Sequence, residues 1–198
     1  MALVNGVNMA FVDSLAVMLL ALGSSASLMA IYFIMAALQK KNIQNLVVPS
    51  LIFGMFDTVS GFIMAFAWPL PGAYNILFGD PMLFLGLILT SAAIMLYKNM
   101  DLRILSVPGF LFGIYVLIEG IGIVTIKGLE SGFDQVIATS LYTFAGLSAL
   151  FSPLMYANPK THDGKYAYYF LAALLILTAL VALIIGYSAI YGHLASPP

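Results

Sequence analysis

Six times along this chain an apolar run of roughly 18–26 residues is long enough to cross a bilayer, against the ~20 that a helix needs. The runs lie near 13–38, 46–68, 81–98, 103–126, 134–157 and 167–191. Short patches of turn-formers and charges separate them: Gln39-Lys40-Lys41-Asn42, Asn99-Met100-Asp101, Lys127-Gly128-Leu129-Glu130 and Asn158 to Lys165. The chain is 63% hydrophobic and 8% charged, where a soluble domain carries about 25% charged residues. So much apolar surface cannot be hidden in a soluble core of this size, and the bilayer is the expected solvent. The predicted fold is all-α, a single integral membrane domain over 1–198 built as a six-helix bundle.

Orientation follows from the basic residues. Of seven Lys and Arg, Lys40, Lys41, Lys98, Arg103, Lys160 and Lys165 fall at the first, third and fifth connections, and Lys127 is the exception. This bias predicts those connections in the cytoplasm of a multi-pass plasma-membrane protein, with both termini outside. No Lys or Arg precedes the first run, so a secretory leader with a basic start is not expected and the run reads as a retained span.

Several function classes lose their footing. Cysteine is absent, which removes thiolate metal sites, iron–sulfur ligation and cysteine nucleophiles. Net charge is −1, giving no basic patch for nucleic acid. Neither His lies deep in a run, so paired-His haem is not expected. No nucleotide or nucleophile motif is present. The expectation is no cofactor and no enzyme activity.

Two carboxylates sit inside runs. Asp57 lies about 16 Å along the second helix, near the midplane. Gly54, Asp57, Ser60 and Gly61 share one helical face. The strip reads either as a pore-lining, proton-responsive group or as an Asp hydrogen-bonded to a neighbouring Ser or Thr. Glu119 shares a face with Phe112, Tyr115 and Gly122 and carries the same two readings, with the added option of snorkelling outward. Asp13, Asp80, Asp134 and His193 stand at outer helix ends. Converging, they would suit a hard or borderline divalent ion; apart, the acids suit helix N-termini as caps. Small residues at helix spacing, among them Gly23, Ser25, Gly54, Gly61, Gly113, Gly120 and Gly146, predict close helix packing.

The stretch Trp68 to Pro81 holds the single Trp and three of nine Pro. Trp68 reads as an interface anchor. Pro69 and Pro71 end the second helix. Tyr74-Asn75-Ile76-Leu77-Phe78 is too apolar for a free loop and is expected to fold back on the bundle as a re-entrant lid, with Trp68, Tyr74, Asn75 and Phe78 facing a solute. Asp80 and Pro81 would then cap and open the third helix.

The run Trp68-Pro-Leu-Pro-Gly-x-Tyr-Asn-Ile-x-Phe-Gly-Asp-Pro, with Leu85-Gly86-Leu87, Asp101-Leu102-Arg103, Gly186-Tyr187 and Gly192-His193-Leu194, resembles the prokaryotic membrane family catalogued as domain of unknown function 981. The resemblance covers nearly the whole chain and implies no settled function. A more distant resemblance, carried by Phe78-Gly79-Asp80-Pro81 and Asp101-Leu102-Arg103, is to urea and short-chain amide channels. Those have a carboxylate on the last span and Trp pairs on the fifth. Here the last span has Ile176, Thr178 and Ala179, and the fifth has Leu141, Phe144 and Leu147, so that filter does not carry over and Asp57, Ser60, Glu119 and Tyr115 would supply the polar part. The expected function is a passive channel or facilitator for a small neutral or weakly acidic solute of the urea, amide or acetate class. The protomer would sit in lipid as a homo-oligomer. The alternative is a non-catalytic subunit, with partner membrane subunits, of a respiratory or metal-dependent oxidase complex.

Overall fold

The protein is described as a computed structural model covering residues 14–70 and 72–195. Six long helices follow one another: α1 (Ser14–Ala37), α2 (Val47–Ala67), α3 (Asp80–Tyr97), α4 (Ser106–Thr125), α5 (Gly132–Leu150) and α6 (His162–Ala195). Short 3-10 turns lead into α2 and α4 and follow α5. Among the described residues there is no strand. With these turns included, all six segments are long and apolar enough to cross a membrane. The predicted all-α membrane bundle is therefore the observed class.

Three helix pairs carry the packing: α1 with α6, α2 with α3, and α4 with α5. Small residues explain why. A Cβ on Gly61 would strike the backbone of Leu83, and one on Gly86 the backbone of Thr58, so α2 and α3 cross at van der Waals distance. Gly113 of α4 lies equally close to the backbone of Leu150 at the end of α5. Gly23 of α1 meets Leu183 of α6, and Gly186 returns the contact to Leu20. The pairs close into a ring through α1–α2 and α5–α6. The remaining seam, α3 to α4, is only sparsely packed. Phe84 bridges it, with ring centroids 5.9 Å from Phe112 and 6.1 Å from Tyr115.

The basic connections gather at one end. Gln44 bonds to Asn99 there, and Arg103 lies 5.7 Å from the Tyr156 ring. At the opposite end the Tyr74 hydroxyl reaches the Leu129 carbonyl at 3.3 Å and Glu130 at 3.4 Å. Burial, then the nearby Glu130 carboxylate, raises the Tyr74 pKa above that of an ordinary phenol.

Two boundaries differ from expectation. The third membrane segment begins at Asn75, not Pro81, because residues Asn75–Gly79 form a π-helical turn that runs straight into α3. Nothing in the run Asn-Ile-Leu-Phe-Gly marks a π-helical turn. The last helix starts at His162 rather than near 167. Its 34 residues extend about 51 Å, well beyond a ~30 Å hydrocarbon core.

Candidate functional site

The ring of helices leaves a cavity of about 150 Å³ at its centre, and nearly all of its surface is apolar. Met18, Leu22, Ala26 and Met29 line it from α1. Leu85, Ile88, Leu89, Ala92 and Leu96 do so from α3, and Gly109, Phe112 and Val116 from α4. Leu141, Tyr142 and Ala145 contribute from α5, and Leu175 and Thr178 from α6. The α3 stripe follows the i, i+3, i+4 spacing of one helix face. From Leu77 to Leu96 it runs about 28 Å along the axis, so the cavity is long and narrow.

Its few hydroxyls are mostly spent inside the protein. Thr178 bonds to the Leu174 carbonyl at 2.9 Å, Ser152 to the Ser106 carbonyl at 2.9 Å and Ser148 to the Ala145 carbonyl at 2.8 Å. Tyr142 donates to the Leu77 carbonyl. That bond closes the end of the cavity remote from the basic connections. The π-helical turn presents Leu77 and Phe78 to the space below, and the phenol ties the turn to α5.

The residues that held attention in the sequence are placed differently. Phe78 lines the cavity; Trp68, Tyr74, Asn75, Asp57, Ser60, Tyr115 and Glu119 are not among its lining residues. Asn75 is completely buried, but its amide is consumed locally. Its oxygen accepts from Leu70 N–H at 2.9 Å, and its nitrogen donates to the carbonyls of Leu70 and Gly72. Its bonds tie the backbone of Leu70 and Gly72 to the start of the π-helical turn. Trp68 is half-exposed and takes a left-handed conformation with φ 49° as the residue that ends α2.

Asp57 is fully buried between α1 and α2, where the Ser25 hydroxyl donates to its Oδ2 at 2.5 Å. This is the hydrogen-bonded arrangement expected as one of the two readings. Its Oδ1 has no hydrogen-bond partner among the described residues. Ser60, one turn further along α2, is only partly buried. Across the α3–α4 seam the Tyr115 hydroxyl donates to Asp80 Oδ2 at 2.7 Å. Glu119 lies buried one turn further along α4, with neither oxygen bonded among the described residues.

The expected cap role of Asp80 is corrected. Because the π-helical turn precedes it, Asp80 is already inside a continuous helix and makes no side-chain cap; its carboxylate serves Tyr115 instead. Asp134 sits in the first turn of α5, whose cap position is Ser131. Asp13 lies outside the described residues. No three His, Cys, Asp or Glu among the described residues come together in a way that could hold a metal ion.

Apart from Phe78, the lining residues do not stand out in the sequence as solute-facing. An apolar residue facing a void and one facing a neighbour look alike in a hydrophobic helix. The available signal was the Leu85-Ile88-Ala92-Leu96 stripe, which lies on a different face of α3 from Gly86.

The chain matches the family model described as "Protein of unknown function (DUF981)" over residues 9–196. It belongs to that family. Neither the curated proteins nor the solved structures offer a match, and the likeness to urea and short-chain amide channels finds no support in these comparisons. Family membership agrees with the stretch from Trp68 to Pro81, which carried most of the resemblance, and brings no activity with it.

Proposed function

We propose that this family member is a passive facilitator for small neutral solutes of low polarity, with the central cavity as its route. What supports the reading is the cavity itself: a long apolar space inside a ring of six membrane-crossing helices. Leaving an amide or hydroxyl without a partner in such a space costs roughly 2–7 kcal/mol, and an unpaired ion far more. The spent hydroxyls offer little compensation. Undissociated short-chain acids and small amides therefore rank ahead of urea, and acetate anion is excluded. The basic end faces the cytoplasm, in keeping with the Lys and Arg bias.

Stopped-flow swelling of proteoliposomes tests this. Acetamide should enter faster than into empty vesicles, with urea slower. Ala145→Phe, which fills the cavity, should abolish the difference, and Asp57→Asn, outside it, should not. No flux above empty vesicles for any of these solutes overturns the proposal. Purification in mild detergent with stable, stoichiometric partner subunits would favour the complex-subunit alternative.

A further inference from the structure

The cavity is poorly sealed on one side, and that side faces the bilayer. Of the neighbouring pairs in the ring, α3 and α4 are the ones that barely touch. Their facing residues, Leu85, Ile88, Ala92, Leu105 and Phe112, all line the cavity and all keep part of their surface accessible. The bridging ring of Phe84 lies toward the end that carries Asp80 and Tyr115. An apolar cavity of about 150 Å³ excludes water and takes hydrocarbon instead. Here the space is also drawn out along about 28 Å of helix, a shape that suits an extended chain better than a compact molecule.

We propose that the central cavity is a binding site for a single hydrocarbon chain, the acyl chain of a membrane lipid or fatty acid, loaded sideways from the bilayer through the α3–α4 seam. The chain replaces contacts that the two helices do not make with each other. The driving force is packing and dispersion, since lipid tails and leucine are equally apolar. The proposal rests on the same cavity as the facilitator reading but not on permeation. A bound chain would obstruct a permeating solute, so the two occupants compete.

The experiment reconstitutes the full-length protein in phosphatidylcholine vesicles containing a fatty acid with a photoreactive diazirine at mid-chain. After illumination the labelled residues are mapped by mass spectrometry. Labelling should reach Leu89 and Val116, which are buried from the outer surface, and unlabelled oleic acid should compete it away. Ala92→Phe and Ala145→Phe should each lower that labelling about tenfold, the factor corresponding to ~1.4 kcal/mol. Leu111→Phe, on an outward face, should leave it unchanged. Labels confined to outward residues such as Ile52 and Leu111 would overturn the proposal, whether a chain fails to enter or the cavity stays empty. Should the Phe variants fail to fold, the wild-type map still decides between these outcomes. Cavity labelling without solute flux removes the facilitator reading and leaves this one standing; flux without cavity labelling does the reverse.

Discussion

Helix α3 faces protein on two sides, and the two are built by opposite means. Toward α2, Gly61 and Gly86 strip away side chains until backbone meets backbone. Toward α4, long side chains point inward and still leave a gap, bridged by the aromatic contacts of Phe84 and the hydrogen bond from Tyr115 to Asp80. In a membrane no hydrophobic effect draws helices together, so close fit must supply the association energy. The α2 side has that fit and the α4 side lacks it. The same helix is thus clamped on one face and held to its neighbour on the other by few contacts, the Tyr115–Asp80 hydrogen bond among them. A cavity is maintained where packing was withheld.

The largest effect is expected from breaking the clamp. Gly61→Leu forces a side chain into the backbone of Leu83, where no rotamer relieves the clash. Overpacking of this kind should cost roughly 3 kcal/mol or more. Thermal unfolding in detergent should show a steep loss of stability or no monodisperse protein at all. A Gly61→Leu variant as stable as wild type would mean that α2 and α3 are not held as described.

Next comes the bond that closes the cavity. A π-helical turn interrupts the regular backbone ladder, and the Leu77 carbonyl finds Tyr142 in compensation. Tyr142→Phe leaves that carbonyl buried and unpaired, which should lower stability by about 1–3 kcal/mol. If the facilitator reading holds, the loosened turn should also raise acetamide flux. Stability lost without a change in flux would restrict Tyr142 to a structural role.

Phe84→Ala probes the seam directly. The ring is half-exposed and its partners sit at the edge of the gap. Its loss should cost only ~1 kcal/mol, in the range of an aromatic pair. That is well below the Gly61→Leu effect, although Phe84→Ala alters more atoms. A penalty as large as that for Gly61→Leu would erase the contrast between the two faces.

The sequence made the clamp legible and the cavity not. Gly54, Gly61 and Gly113 stand out in an apolar run, because small residues in membrane helices have few uses besides close approach. Asp57 stands out for its charge, and its carboxylate accepts a hydrogen bond from the Ser25 hydroxyl. The space between α3 and α4 is a property of helix placement, and Leu, Ile and Ala carry no mark of whether they meet a neighbour. Asn75 and Asp80 misled for a related reason. Their polar groups pointed to a solute or a cap, but Asn75 bonds the backbone of Leu70 and Gly72 and Asp80 bonds Tyr115 across the bundle, while Tyr142 of α5 bonds the Leu77 carbonyl of the turn. The bonds to Tyr115 and Tyr142 join residues far apart in the chain, and no local pattern announces them.

The smallest effect is expected at the basic end of the seam, in the link that joins α3 to α4. Asp101 accepts from the Arg103 guanidinium at 2.6 and 2.9 Å and from its backbone N–H at 3.0 Å. These hydrogen bonds, the side-chain ones first, hold the Asp101 carboxyl below its ordinary pKa. A carboxyl with a lowered folded-state pKa contributes stability that is present above its unfolded value, about 3.9, and is lost as pH falls through the folded one. Both side chains are about half exposed, so screening by solvent and salt keeps the contribution small. Asp101→Asn should therefore shift the melting temperature slightly at pH 6 and not at all once pH falls well below 4. A shift of the same size at both pH values would mean that the ion pair contributes nothing. A large shift at pH 6 would mean that the link, and not the sparse packing, governs how far α3 and α4 stand apart.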